Sequence, residues 1–221
     1  MRRQWLMVVI LLLVVAIVAY WFLRTKAEKE LILAATRGDV DLVRSLLNRG
    51  ANPNVRDEHG KTPLIWAALN GQIEVVQLLL ERGADVNARD EYGVTALMVA
   101  SNPRQRAQAG AAIALLDKGA DINARDVNGR TPLMYAISDK ETEVAELLIQ
   151  RGADVNATNK YGETPLTLAS LYGDTKIIKL LLERGANVHV KTNGGETPLS
   201  IARKYKHEEA ERLLLKAGAK E

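Results

Sequence analysis

Three histidines, His59, His189 and His207, are the chain's only imidazoles. No two stand four residues apart, the spacing that puts a pair of metal ligands on one helix face. Asp85 and Asn87, Asp121 and Asn123, and Asp154 and Asn156 offer oxygens of the kind calcium takes. They return inside one short recurring phrase, so they read as turn residues whose side chains bond nearby backbone. Cysteine is absent, which removes thiolate nucleophiles, disulfides and zinc–cysteine sites. No G-x-x-x-x-G-K-[ST] phosphate loop and no G-x-S-x-G nucleophile turn occurs. An enzyme would need a nucleophile, base or metal set that the chain does not offer. No catalytic residue, metal or cofactor is expected. Asn156-Ala157-Thr158 matches a glycosylation acceptor. It falls within the recurring phrase and is read as structural unless the domain faces a eukaryotic lumen.

The recurring phrase organises the chain. It reads RGANPNVRDEHG at 49–60, RGADVNARDEYG at 82–93, KGADINARDVNG at 118–129, RGADVNATNKYG at 151–162 and RGANVHVKTNGG at 184–195. Its first glycines, from Gly50 through Gly83, Gly119, Gly152 and Gly185 to Gly218, are spaced 33, 36, 33, 33 and 33 residues. A fixed period of this length marks a solenoid. A glycine after a leucine-rich helix ends it in the left-handed conformation. Asp57, Asp90 and Asp126 each open a glycine-containing turn suited to a tight reversal. Thr62-Pro63, Thr131-Pro132, Thr164-Pro165 and Thr197-Pro198 then start a helix, threonine as cap and proline at the first helical position. Each unit is thus hairpin, helix, helix.

These motifs resemble the ankyrin repeat family. The resemblance rests on Gly60-Lys61-Thr62-Pro63-Leu64 and its copies, the alanines after it, and the run from Val75 to Asn87. It covers about residues 28–221. The expected fold is mainly α, a solenoid of about six repeats preceded by one transmembrane helix. The histidine common after T-P-L in that family is replaced by Ile65, Met98, Met134, Thr167 and Ser200, which removes a Thr–His bond from each repeat.

Expected boundaries are a basic tail 1–4, a transmembrane helix 5–23, a linker 24–28, and repeats at 29–56, 57–89, 90–125, 126–158, 159–191 and 192–221. The first and last repeats act as caps, because nothing stacks on their outer faces. The third carries three extra residues within SNPRQRAQAG (101–110), with Ala96 in place of proline. Pro103 is expected to end the first helix there and push the extra residues into a loop. That loop reads either as a tolerated insertion or as a partner-specific bump with Arg104 and Arg106.

Residues 5–23 (WLMVVILLLVVAIVAYWFL) carry no charge. At helical rise they span roughly 28 Å, close to a bilayer's hydrocarbon core. Trp5 at one end and Tyr20, Trp21 and Phe22 at the other suit membrane interfaces. A cleaved secretory signal would have a shorter apolar run and a small-residue end. The expectation is an uncleaved single-pass anchor with the repeats outside the cytoplasm, periplasmic in a bacterium. The basic flanks on the two sides nearly tie, so orientation rests on the short basic tail staying cytoplasmic.

The net charge of +3 comes from those flanks. Setting aside Arg2, Arg3, Arg24 and Lys26 leaves 26 Lys and Arg against 27 Asp and Glu. A mixed surface of this kind lacks the basic stripe of a nucleic-acid footprint.

Positions that differ between copies are free for a partner. By resemblance, ankyrin modules bind through hairpin tips and the groove side of the first helices. Those positions here are Glu58, His59, Lys61, Leu69, Asn70, Tyr92, Val94, Asn102, Asn128, Arg130, Tyr161, Glu163, Leu171 and Tyr172. Tyr92, Tyr161 and Tyr172 are the expected anchors, since tyrosine offers rigid apolar area with a polar end. The function implied is a membrane-anchored, non-enzymatic module that binds another protein. The other reading is a structural or stabilising subunit of a membrane or periplasmic complex. Neither nucleic acid nor a small-molecule substrate is expected.

Overall fold

The computed structural model describes residues 25–102 and 108–220. The run 5–23 expected to cross the membrane, and Arg104 and Arg106, lie outside the described residues. Among the described residues, no helix is long and apolar enough to cross a membrane.

Helical backbone over 25–37 forms α1. After it come α2 (Val40–Asn48), α3 (Pro63–Leu69), α4 (Ile73–Glu81), α5 (Ala96–Ala100) and α6 (Gln108–Asp117). The chain continues with α7 (Pro132–Ser138), α8 (Thr142–Gln150), α9 (Pro165–Tyr172), α10 (Thr175–Glu183), α11 (Pro198–Lys204) and α12 (Glu208–Lys216). Among the described residues, twelve helices pair into six layers. First helices α3, α5, α7, α9 and α11 pack in one row, and second helices α2 through α12 pack in another. The architecture is a mainly helical solenoid. Among the described residues the hairpins contribute only a single isolated bridge, Arg89 with Thr95.

The core is one continuous apolar cluster from Leu31 to Ala219. Inner helix α4 buries Val75, Val76, Leu78 and Leu79, whereas terminal α12 buries only Ala210 and Leu214. Burying one large apolar side chain is worth roughly 1.5–3 kcal/mol before ordering entropy is counted. Inner layers therefore hold the stack more firmly than its end.

Helix starts do not depend on the missing histidine. The Thr62, Thr95 and Thr131 hydroxyls accept the amides of Ile65, Met98 and Met134 at 3.3, 3.4 and 3.4 Å. In the last two layers a second hydroxyl completes the cap. Thr167 Oγ1 and Ser200 Oγ each accept, at 2.8 Å, the amides of Thr164 and Thr197. Thr95 caps α5 even though Ala96 stands where its neighbours have proline. α5 ends at Ala100, ahead of Pro103, with Ser101 Oγ donating to the Leu97 carbonyl at 2.7 Å.

Three ladders tie the hairpins together. Backbone amides of Glu91, Val127, Lys160 and Asn193 donate to the carbonyls of His59, Tyr92, Asn128 and Tyr161 on the preceding tip, at 3.2, 2.8, 2.8 and 2.9 Å. The recurring asparagines make the second ladder. Asn54, Asn87 and Asn156 donate to the carbonyls of Gly83, Gly119 and Gly185 in the next layer. Their side-chain oxygens accept the amides of Asp85, Asp121 and Asn187. For Asn87, Asn123 and Asn156, whose oxygens accept from the next layer, this corrects the sequence reading, which had them bonding nearby backbone. The residue two places earlier does so: Asp85 accepts the Asn87 amide at 3.0 Å, and Asn52 and Asn187 accept the Asn54 and His189 amides in their copies. Arginines form the third ladder. Arg56 donates to the Arg89 carbonyl at 2.6 Å, Arg89 to that of Arg125, and Arg125 to that of Thr158.

Candidate partner-binding groove

Each hairpin tip is a closed turn built on its first residue. The Asp57 amide donates to the Lys61 carbonyl at 3.0 Å, and Asp57 Oδ1 accepts the His59 and Lys61 amides at 2.9 Å each. Asp90, Asp126 and Asn159 do the same for their own tips. A tip held this way presents its middle residues outward in fixed positions. Tyr92 is 58% exposed and Tyr161 is 59% exposed.

The aromatic residue four places after the capping threonine reaches back to the tip. Trp66 Nε1 donates to Asp57 Oδ2 at 2.8 Å, and the Tyr135 hydroxyl donates to Asp126 Oδ2 at 2.8 Å. Arg130 joins the second of these, with Nε 2.9 Å from Asp126 Oδ2 and Nη2 donating to the Tyr135 oxygen at 2.8 Å. Lys61 lies 5.7 Å above the Trp66 ring and 3.5 Å from Asp90. Lys61 and Arg130, picked as partner contacts, are thus committed to neighbouring side chains.

Burial raises the Asp126 carboxyl. Bonds from the Arg130 amide, the Tyr135 hydroxyl, the Arg130 side chain and the Asn128 amide outweigh it and hold the group below its usual 3.8. Asp57 is likewise lifted by burial, then lowered further below 3.8 by Trp66, the Lys61 and His59 amides and the Lys61 charge. A depressed folded value means the stabilisation is complete above the unfolded value and is lost as pH falls through the folded one. Glu141 has the opposite sign. Burial and the Glu143 and Asp139 charges raise it above 4.5, so it takes stability away as pH rises past that point. Denaturant titrations are expected to show stability falling below pH 3.8, less steeply in Asp126→Asn. Equal slopes for the two proteins would contradict this account of the tip.

Val99 holds this place in the third layer, and in the fifth and sixth layers the reach-back aromatic is gone as well. Leu168 and Ile201 occupy the places of Trp66 and Tyr135, and Asn159 and Thr192 replace the tip aspartates. The shorter side chains leave a groove of about 370 Å³ lined by Tyr161, Glu163, Leu168, Leu171, Ile201 and Tyr205 among others. Glu163 is fixed by Asn159 Nδ2, which donates to its Oε2 at 2.6 Å. On the opposite wall Glu196 accepts from Lys204 Nζ at 2.7 Å, and Tyr205 is 49% exposed.

Four tips are locked by an Asp or Asn side chain, four helices start at threonine-proline, and four rungs bond one tip to the next. The chain belongs to the ankyrin repeat family. The family profile, ankyrin repeats (3 copies), matches residues 31–126, 89–159, 104–192 and 152–221. The chain is similar to the crystal structure of an ankyrin repeat domain from Acinetobacter baumannii AYE. That likeness has 34% identity over 87% of this chain and 100% of the other, with a TM-score of 0.79. It is also similar to the ankyrin repeat domain of Bcl-3, described as a unique member of the IkappaB protein family. There the identity is 32% over 86% of each chain, with a TM-score of 0.76. No curated protein matches the chain.

Within this ankyrin stack the expected contact residues do not form one surface. Tyr161, Glu163 and Leu171 meet in the groove of the last two layers. Glu58 and His59 sit exposed at the first tip, 3.8 Å apart. Leu69, Val94 and Tyr172 pack against the core. Tyr172 is half-buried, with Lys140 5.8 Å over its ring. Asn70 donates to the Trp66 carbonyl at 2.8 Å and closes its own helix. Asn102 is half-buried, and Asn128 gives its carbonyl to Lys160. Trp66, Tyr135, Leu168, Ile201 and Tyr205 were missed. The signal was present: Tyr205 follows Thr197 by eight residues, as Tyr172 follows Thr164.

Proposed function

We propose that this chain is a membrane-anchored, non-enzymatic module that binds a partner protein through its hairpin tips and concave groove. Ankyrin repeats in general are interaction scaffolds, and the proposal for this chain rests on one observation. In the last two layers an open groove is walled by Tyr161 and Tyr205, both about half exposed or more, while the hairpin ladders commit Asn54, Asn87, Asn156, Arg56, Arg89 and Arg125 to stacking. A surface fixed in advance loses less ordering entropy on binding. The apolar run 5–23 supplies the anchor, and the repeats are placed outside the cytoplasm. Tethering raises local concentration near membrane-bound partners.

The test is site-specific photo-crosslinking in intact cells, with the probe placed at residue 161, 92 or 179. Tyr161 and Tyr92 are on the tips, and Lys179 is exposed on α10. Crosslinks are expected at 161 and 92, with saturable binding that Tyr161→Ala weakens by roughly 2 kcal/mol, the scale of an aromatic hot spot. Crosslinks confined to 179 would overturn the concave reading. Protease access to intact cells then tests the placement of the repeats.

A further inference from the structure

Along the groove, acid and aromatic groups repeatedly hold a cation of this chain. Arg130 sits on Asp126 with its guanidinium 4.5 Å from the Tyr135 ring. Lys204 lies 2.7 Å from Glu196 and 5.7 Å from the Tyr205 ring. Lys61 lies over Trp66 and close to Asp90.

The fifth layer breaks the pattern. The tip position carries Lys61 in the second layer, Val94 in the third, Arg130 in the fourth and Glu196, held by Lys204, in the sixth; here it carries Glu163. Glu163 and the exposed Tyr161 line the same groove. Among the described residues no cation lies within ion-pair reach of Glu163, and none is seated over the Tyr161 ring. The Arg130 guanidinium is engaged by Asp126 and Tyr135. Asn159 holds the Glu163 carboxylate in place from one side. Leu168, Leu171 and Ile201 add apolar lining. A carboxylate, an open aromatic face and an apolar wall are the three things a guanidinium on a methylene stem satisfies at once.

We propose that this groove takes an arginine side chain from the partner, its guanidinium on Glu163 and against Tyr161, its methylenes on Leu171 and Ile201. Arginine is favoured over lysine because its planar fork pairs with a carboxylate while its face stacks on a ring. The proposal rests on the concave-face reading and narrows it to a chemistry.

The experiment uses the full chain in detergent micelles and a displayed library of random dodecapeptides. Selected peptides are expected to share an arginine. In the tightest binder, replacing that arginine by citrulline keeps the shape and removes the charge. The expected loss is roughly tenfold, the scale of one charge-assisted bond. Glu163→Gln keeps an acceptor for Asn159 and is expected to cost the arginine peptide the same factor while leaving the citrulline peptide unaffected. Glu81→Gln, exposed at the end of α4 and away from tips and groove, leaves both unchanged. Equal binding of the two peptides, selection without arginine, or no binder at all overturns the proposal. If a cellular partner still crosslinks at residue 161 when the arginine test is negative, only the arginine assignment falls. If crosslinks appear only at 179, the concave reading falls with it.

Discussion

Leu148→Ala is expected to lower the stability of the stack by about 2–5 kcal/mol, the range for emptying a fully enclosed leucine site. Leu148 has no exposed surface. It sits on α8, which packs against α7 in its own layer and against α6 and α10 on either side. In a repeat array each layer touches only its neighbours, so stability is a sum of layer terms and interface terms. A cavity in the fourth layer weakens both of its interfaces at once. The halves on either side then lose their coupling, and urea unfolding is expected to split into two transitions. Leu214→Ala makes the control. Leu214 is equally buried, but it lies on α12, which among the described residues has a neighbouring layer on one side only. That change frays the end and leaves the remaining layers cooperative. A single transition in Leu148→Ala, shifted by less than about 1 kcal/mol, would contradict the layered account.

Why the fold was legible and the groove was not follows from what each depends on. Gly50 to Gly218 and the Thr-Pro starts report helix ends and beginnings, which local chemistry decides, and five copies make the signal plain. The roles of Asn87 and Arg89 depend on a layer more than thirty residues away, because their partners are Gly119 and Arg125. Spacing alone assigns such side chains to their own turn. Lys61 and Arg130 looked free because spacing alone does not show that they lie over the rings of Trp66 and Tyr135. Tyr172 and Tyr205 occupy the same place in successive layers. The first is half-buried under Lys140, whereas the second stays exposed at the open end of the stack. What the sequence withheld was the difference between equivalent positions, which arises only once a neighbour is or is not stacked against them.

A second large effect separates the geometry of a tip from the stacking of tips. Gly162 and Gly195 occupy the same place in the last two hairpins, with φ of +73° and +79°. Alanine at either one pays for a left-handed backbone, roughly 1–2 kcal/mol. Only at Gly162 does the added carbon meet anything. It would lie 2.8 Å from the Asn193 amide nitrogen and 2.7 Å from Asn193 Oδ1, while Gly195 has nothing within 4 Å. That amide makes the Asn193-to-Tyr161 rung at 2.9 Å, so Gly162→Ala must push the sixth tip away from the fifth. Gly195→Ala is therefore expected to cost only the backbone term, and Gly162→Ala clearly more, by denaturant titration. The same displacement moves Asn193 relative to Tyr161 and Glu163, which share the groove. Partner binding should then fall in Gly162→Ala even under conditions where the protein is fully folded, and stay intact in Gly195→Ala. Equal binding by the two variants would mean that the spacing of the last two tips does not shape the recognition surface.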